Sequence, residues 1–247
     1  MRVLKIVLEG TTASFRYPHF MLGVQPTFPL PPPATIYGHI CSALGAWVDP
    51  DGLAFAYHFT AAGEGEEIEH IHVLAAASGK LPGTKHPKVL EGNVNPFTRH
   101  VLLHPRLVLY LNRPEWRDAF RTPRYPVALG RSQDLACYIS VEIVELEQRA
   151  DVYFEHTLLP YTMAAQTAVG VVTLMPRWLD YGRNRQPSFA RYLLLRQRVM
   201  SSDLLRFAGA SPGRYWADPR APQVKGASLG LWFHTFTGAA DEALALA

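Results

Sequence analysis

The chain has 247 residues, 48% hydrophobic and 11% aromatic, enough for one large domain, or one domain with a sizeable insertion, and a real core. With 18% charged residues and a net charge of +3, at a pI near 8.9, the overall balance is too mild to prove a polyanion partner, so the distribution of charge matters more than its sum. Cys41 and Cys137 lie far apart without metal spacing and read as reduced thiols, MRVLKIVLEG is too short and too alternating for a signal peptide, and no apolar run approaches the ~20 residues of a membrane span. The expectation is a soluble, cytoplasmic protein with no membrane partner.

In chain order, residues 2–10 (RVLKIVLEG) read as a strand, with Val3, Lys5 and Val7 on one side and Leu4, Ile6 and Leu8 on the other. Residues 35–47 fit a helix in which Ile36, Ile40, Leu44 and Trp47 recur at helical spacing and face a sheet, with Thr35 or the backbone just before it as N-cap. DPDG (49–52) is a turn, and 52–63 and 67–77 are two strands around an acidic turn. Residues 79–106 lack periodicity and carry Lys80, Lys85, Lys88, Arg99 and Arg106 against one acid, Glu91. A connection this long in a compact domain is functional or mobile. Strands at 106–112 and 136–146 flank a short helix at 113–120. Residues 192–210 are a helix, or a strand with a turn at SSD; 226–236 is a late strand, and 238–247 frays. With the excursion set aside, the order matches the split β-α-β layout of ferredoxin-like and RNA-recognition folds, an α+β class.

The approach to the first helix is unusual. Pro26, Pro29, Pro31, Pro32 and Pro33 fall within eight residues. Proline fixes its own φ and biases its predecessor to extended geometry, so 29–33 is a stiff entry that positions a helix N-terminus, where free N–H groups favour an anion. The small residues Gly38, Ser42 and Gly45 lie on the face away from Ile36 and Ile40. The plain alternative is a proline-lined path around a sheet edge.

Two stretches carry a resemblance: FRYPHFMLGVQPTFPLPPPATIYGHICSALG (15–45) and YPVALGRSQDLA (125–136). Their order and separation resemble the Cas-five family of CRISPR-associated proteins, in which an early F-R-x-P precedes a proline block ending T-[IL]-Y-G and a later P-x-x-L-G-R-[SA] block; among its subgroups the chain looks closest to type I-B. The resemblance implies a ferredoxin-like core of the RAMP superfamily with an inserted β-hairpin thumb, about 79–104, within residues 1–150. Residues 151–247 complete the same domain or form a small β-rich subdomain. It implies a non-catalytic subunit of a Cascade surveillance complex that binds the 5′ handle of the guide crRNA and caps the complex near the PAM-proximal end of the target DNA. The backbone and large subunits of the complex would be its partners, in antiviral defence or transposon targeting, and no cofactor is implied.

Within that frame Arg16 contacts phosphate or base, its alternative being a salt bridge across the loop. Phe15 or Tyr17, but by alternation only one of them, faces the surface and stacks on a base. His19 flanks the helix terminus. Thr35 caps, and shares that terminus with phosphate. Tyr37 and His39 occupy the first helical turn, Tyr37 stacking or packing in the core. Gly130, Arg131, Ser132 and Gln133 form a second contact, Gly130 admitting close backbone approach and Arg131 forking onto phosphate. Lys85, His86, Lys88, Arg99 and His100 are the basic residues near the ends of the expected thumb. Seven arginines between 177 and 206 suit phosphate or a protein partner. His70 and His72 share a strand face without a third ligand, so no metal site is expected.

The rival reading is a metal-independent endoribonuclease processing precursor crRNA, as in type I-C relatives, with Tyr37, Lys88, His86 and His100 as raw material; it needs acid and base to converge on one phosphate. A structural adaptor that never touches RNA is the second rival.

Overall fold

Alternation with apolar residues on both faces marks a strand buried on both sides, and β1 (Arg2–Gly10) is one. Its Leu4, Ile6 and Leu8 join one core cluster and Val3 a second, on the opposite side of the sheet. The computed structural model describes residues 1–20, 23–208 and 213–238.

The elements that follow are α1 (Pro33–Leu44), β2 (Ala54–Thr60), β3 (Gly63–Ala76), β4 (Leu90–Leu103), β5 (Arg106–Leu111), α2 (Arg117–Arg121) and β6 (Ala136–Glu145). In space the order β2-β5-β1-β6 is antiparallel throughout, and each half supplies a strand, a helix and a strand. This is the ferredoxin-like arrangement expected from the element order. Ile36 and Ile40 of α1 pack on Leu4, Ile6, Phe55 and Leu109 in the first core.

The C-terminal part comprises β7 (Val152–Phe154), β8 (Thr157–Pro160), β9 (Val171–Asp180), β10 (Gln186–Leu195), α3 (Ser201–Ala208), β11 (Ser228–Leu231) and β12 (His234–Thr235). It covers both faces of the sheet. Tyr153, Leu229 and Leu231 pack on Val3 and Tyr110, while Met175, Tyr192 and Leu194 pack with α1 in the first core. Lys5 interrupts the apolar run of the strand's second face between Val3 and Val7. Its Nζ lies 2.6 Å from the fully buried Asp218, whose Oδ2 also accepts from the Tyr110 hydroxyl at 2.9 Å. No helix among the described residues is long and apolar enough to cross a membrane.

The observed elements differ from the expected ones in three places. α1 starts two residues earlier, ends at Gly45 (φ 74°), and leaves Trp47 58% exposed against Tyr181 instead of facing the sheet. Left-handed backbone at the C-cap is where glycine is favoured, and a Cβ there would come 2.4 Å from Arg124 Cγ. Residues 192–208 divide into the end of β10, a short strand at 199–200 and α3, and 209–210 lie outside the described residues. The fraying expected of 238–247 lies, from 239 onward, outside the described residues.

The third difference is the excursion. β3 and β4 pair without a break from Gly63↔Leu103 to Ala76↔Leu90, so the hairpin begins sixteen positions before residue 79 and only 77–89 is loop. Pro96 sits in β4 opposite His70, where no further strand pairs on the outer side, and an edge position tolerates the missing N–H. Phe97, Arg99, Val101 and Leu102 are buried against the body, whereas 70–76 and 89–96 are exposed. Replacing 71–95 by a short Gly/Ser linker is therefore expected to leave the thermal midpoint within a few degrees of the parent. Exposed residues contribute little to the core. Loss of the cooperative melt would show that the outer hairpin is part of the folding unit.

Candidate nucleic-acid interface

The proline run is built into the core. Phe28, Leu30, Pro31, Pro32 and Pro33 are buried, and the Pro31 carbonyl accepts from the buried Tyr57 hydroxyl of β2 at 3.0 Å. Pro32 is the N-cap and Pro33 the first helical residue, an arrangement suited to proline because the N–H it lacks would have no intrahelical acceptor. Thr35 is accordingly the third helical residue, not the cap. Its N–H donates to Pro32 O at 2.9 Å, and no side chain caps the helix.

The preceding loop folds back on the run: Phe28 N–H donates to Phe15 O at 2.8 Å, and Phe15 N–H to Thr27 Oγ1 at 2.7 Å. This pins Phe15 inward, edge-on to Phe59, and turns Arg16 outward. Tyr17 is half-buried and stacks on Phe28 at 3.7 Å. Arg16 makes no ion pair among the described residues.

The loop from Ala128 to Leu135 closes the other side. Gly130 has φ 108°, and a Cβ there would stand 2.6 Å from Ser14 O, so only glycine lets the two backbones meet. The loop is locked by Arg131. Its Nε and Nη2 donate to Asp134 at 2.9 and 2.7 Å, and its Nη1 to Glu67 and Glu69 of β3. Four of the five guanidinium donors are thus engaged by carboxylates. Thr12 donates to Asp134 at 2.7 Å, Gln133 to Glu69 at 3.1 Å, and Arg99 Nε lies 2.8 Å from Glu69. Burial pushes the Asp134 and Glu69 carboxyls up. Hydrogen bonds from Arg131 to both, from Thr12 to Asp134 and from Arg99 to Glu69 outweigh it and hold both below their ordinary values.

These parts meet at a cavity of about 290 Å³ lined by Ser14, Phe15, Arg16, Pro32, Thr35, Arg99, Gly130, Arg131 and Pro176. Of the residues singled out in the sequence, Arg16, Thr35, Arg99, Gly130 and Arg131 come together here. His19 is exposed and its ring lies 6.2 Å from Phe189, while Ser132 and Gln133 are exposed on the closing loop.

Tyr37 and His39 point away from this cavity into the core. Tyr37 donates to Val48 O, and burial pushes its hydroxyl up to about 12. His39 Nδ1 lies 3.2 Å from Ala128 O and its Nε2 2.9 Å from the Tyr138 hydroxyl; burial lowers its pKa to about 4. Lys85 and His86 sit in the 77–89 loop, Lys88 pairs with Glu91 at 2.8 Å, and His100 lies 3.4 Å from Glu66. The groups offered for acid–base chemistry are therefore dispersed between core, hairpin tip and hairpin base. Sequence reasoning missed Glu67, Glu69 and Asp134. Their signal was present: two acids at i, i+2 on one strand face, and an acid three residues after Arg131.

A ferredoxin-like sheet with an inserted hairpin, and a cavity lined by Arg16, Arg99 and Arg131 at the start of α1, define the class of fold. Among solved structures, a chain of a "CRISPR RNA-guided surveillance complex" shares that fold at TM-score 0.50 and 15% identity, over 84% of this chain and 100% of that one. A chain of a type III-B Cmr-beta complex bound to cognate target RNA and AMPPnP (0.45, 13%, 85% and 88%) and a CRISPR protein from Archaeoglobus fulgidus (0.44, 10%, 94% and 98%) score below 0.5 and add no weight. No family model matches the chain, and no curated protein matches it.

Proposed function

We propose that the chain is a non-catalytic RNA-binding subunit of a type I CRISPR surveillance complex that holds the 5′ handle of the guide RNA, near the PAM-proximal end of target DNA. One observation carries this reading. Arg16, the proline-led start of α1 and the Gly130–Arg131 loop, distant in sequence, line one cavity. Arg16 brings a guanidinium with no carboxylate partner among the described residues, the helix start, with no side-chain cap, brings the positive end of its dipole, and both suit a phosphate. Fold kinship with a chain of an RNA-guided complex is in keeping with it. The hairpin, with Ile68, Leu74, Val89 and Leu90 each at least 60% exposed, offers neighbouring subunits of the complex an apolar surface. No observed juxtaposition favours the endoribonuclease.

The test is a gel assay of the full chain with precursor guide RNA and with RNA lacking the handle. Binding without cleavage is expected, with a log–log salt slope near −0.7 per phosphate contact. Arg16→Ala should bind handle RNA about tenfold more weakly with an unchanged melt, since a charged hydrogen bond contributes about 1.5–3 kcal/mol and the Arg16 side chain holds no ion-pair partner among the described residues. Cleavage would favour the rival. Parent-like binding by Arg16→Ala, or a flat salt response, would remove the cavity from the RNA surface.

A further inference from the structure

Pro176 lines the cavity beside Arg16, and its cross-strand partner is Phe189. The next rung on the same face of this hairpin pairs Leu174 with Arg191, about 7 Å further along the strands. Phe189 and Leu174 are 38% and 46% exposed, and Arg191 is exposed. The Phe189 ring stacks beside the exposed His19, three residues after Arg16, and the Arg191 guanidinium lies 5.4 Å from the centre of the Tyr161 ring, itself 40% exposed. Arg191 has no ion pair among the described residues. Other arginines of this region are committed: Arg177 to the carbonyls of Thr235, Thr237 and Gly238, Arg183 to Asp180, Arg196 to Glu64 and Arg198 to Glu155.

We infer that the outer face of the β9–β10 hairpin is a second, contiguous binding site for single-stranded RNA, in which Phe189 stacks a base and Arg191 holds the adjoining phosphate as the strand leaves the cavity. This rests on the reading of the cavity as an RNA site. The chemistry is that of a single-strand track: flat aromatic faces accept any base, and unpaired guanidinium groups interleaved with them follow the backbone. β9 is also the edge strand of its sheet, but the groups that continue from the cavity are side chains on the sheet face, Phe189 and Arg191, and not the backbone edge.

The test uses the full chain with fluorescein-labelled oligouridine of about 20 nucleotides, and with the same strand carrying abasic sites. Phe189→Ala should weaken binding to the intact strand about tenfold, Phe189→Leu should weaken it nearly as much, and Phe189→Tyr should retain most of it. The parent should prefer the intact strand, and Phe189→Ala should bind both strands about as the parent binds the abasic one, whereas loss of folding would abolish binding to either. Arg191→Ala should reduce the salt slope by about 0.7. If Arg16→Ala weakens binding while the Phe189 and Arg191 variants bind as the parent does, the track is overturned, the cavity stands, and this face is left to a protein partner. If the Phe189 variants fail and Arg16→Ala does not, the track stands without the cavity. A parent chain that binds neither strand overturns both.

Discussion

Replacing Arg131 by Met is expected to lower the melting temperature by about 10 °C. Asp134 is fully buried, and its two oxygens take two hydrogen bonds from the Arg131 side chain and one from its backbone N–H. Removing one partner of a buried ion pair leaves the other charge uncompensated, at about 3–5 kcal/mol. For a chain of this size each kcal/mol moves the midpoint by about 2–4 °C. Glu67 and Glu69 would also lose their shared donor and be left side by side on one strand face. Arg131→Lys should recover only part, because an ammonium cannot reproduce the fork onto Asp134. Arg131→Met combined with Asp134→Asn should fall short of the sum of the single losses, since the second change removes the stranded charge. Thermal melts of the four proteins at pH 7 decide this; a shift under 2 °C for Arg131→Met would show that the network contributes nothing net.

Acidification is expected to unfold the protein cooperatively between roughly pH 4 and 5, driven by two buried histidines. His39 and His234 are buried, and burial lowers each to about 4 from an ordinary 6.5. His39 is neutral, with Nδ1–H donating to Ala128 O and Nε2 accepting from Tyr138; His234 Nε2 lies 2.9 Å from Leu158 O. Because the folded values lie below the unfolded one, the unfolded chain binds more protons between pH 6.5 and 4, so stability falls as pH falls through that window. At pH 4 the loss is about 3 kcal/mol per histidine, together a large part of the 5–15 kcal/mol typical of a folded domain. Asp134 and Glu69, held below their ordinary values, add a further loss only under about pH 4. Circular dichroism from pH 7 to 3.5 should show a cooperative transition between roughly pH 4 and 5. His39→Gln should flatten the approach to it. A midpoint of thermal unfolding that stays constant from pH 7 to 4.5 would contradict this account.

The parts of the fold that the sequence made legible are those where burial imposes a period. β1 and β6 read as strands, and the strand–helix–strand order led to the ferredoxin-like sheet. β4 was illegible because its outer half has no core to face: Gly92, Asn93, Asn95 and Pro96 are exposed, and an exposed edge strand imposes no apolar alternation. The site divides the same way. Arg16 and Arg131 were marked by their motifs, and they do line one cavity. What motifs could not convey is which charges each arginine would meet. Arg131 was offered as a phosphate fork, yet its donors face Asp134 and two glutamates that strand pairing brings from β3. Tyr37 could have been placed inward from the residues alone, since Ile36, Tyr37 and Ile40 share one helical stripe.

The long hairpin has a consequence for the order in which the chain assembles. The central pair β2–β5 joins Thr60 to Arg106, and closing that contact directly means gathering 46 residues (106 − 60) of slack chain. A turn at 77–89 gathers only thirteen, a saving of about 1 kcal/mol in closure entropy. Each rung laid from Ala76↔Leu90 toward Gly63↔Leu103 then draws the two core strands closer. A two-stranded ribbon is marginal alone, but even a short-lived one shortens the search. Non-local strand pairing is the slow step in sheet formation, so the segment furthest from the core acts as the zipper that brings the core's own strands into register.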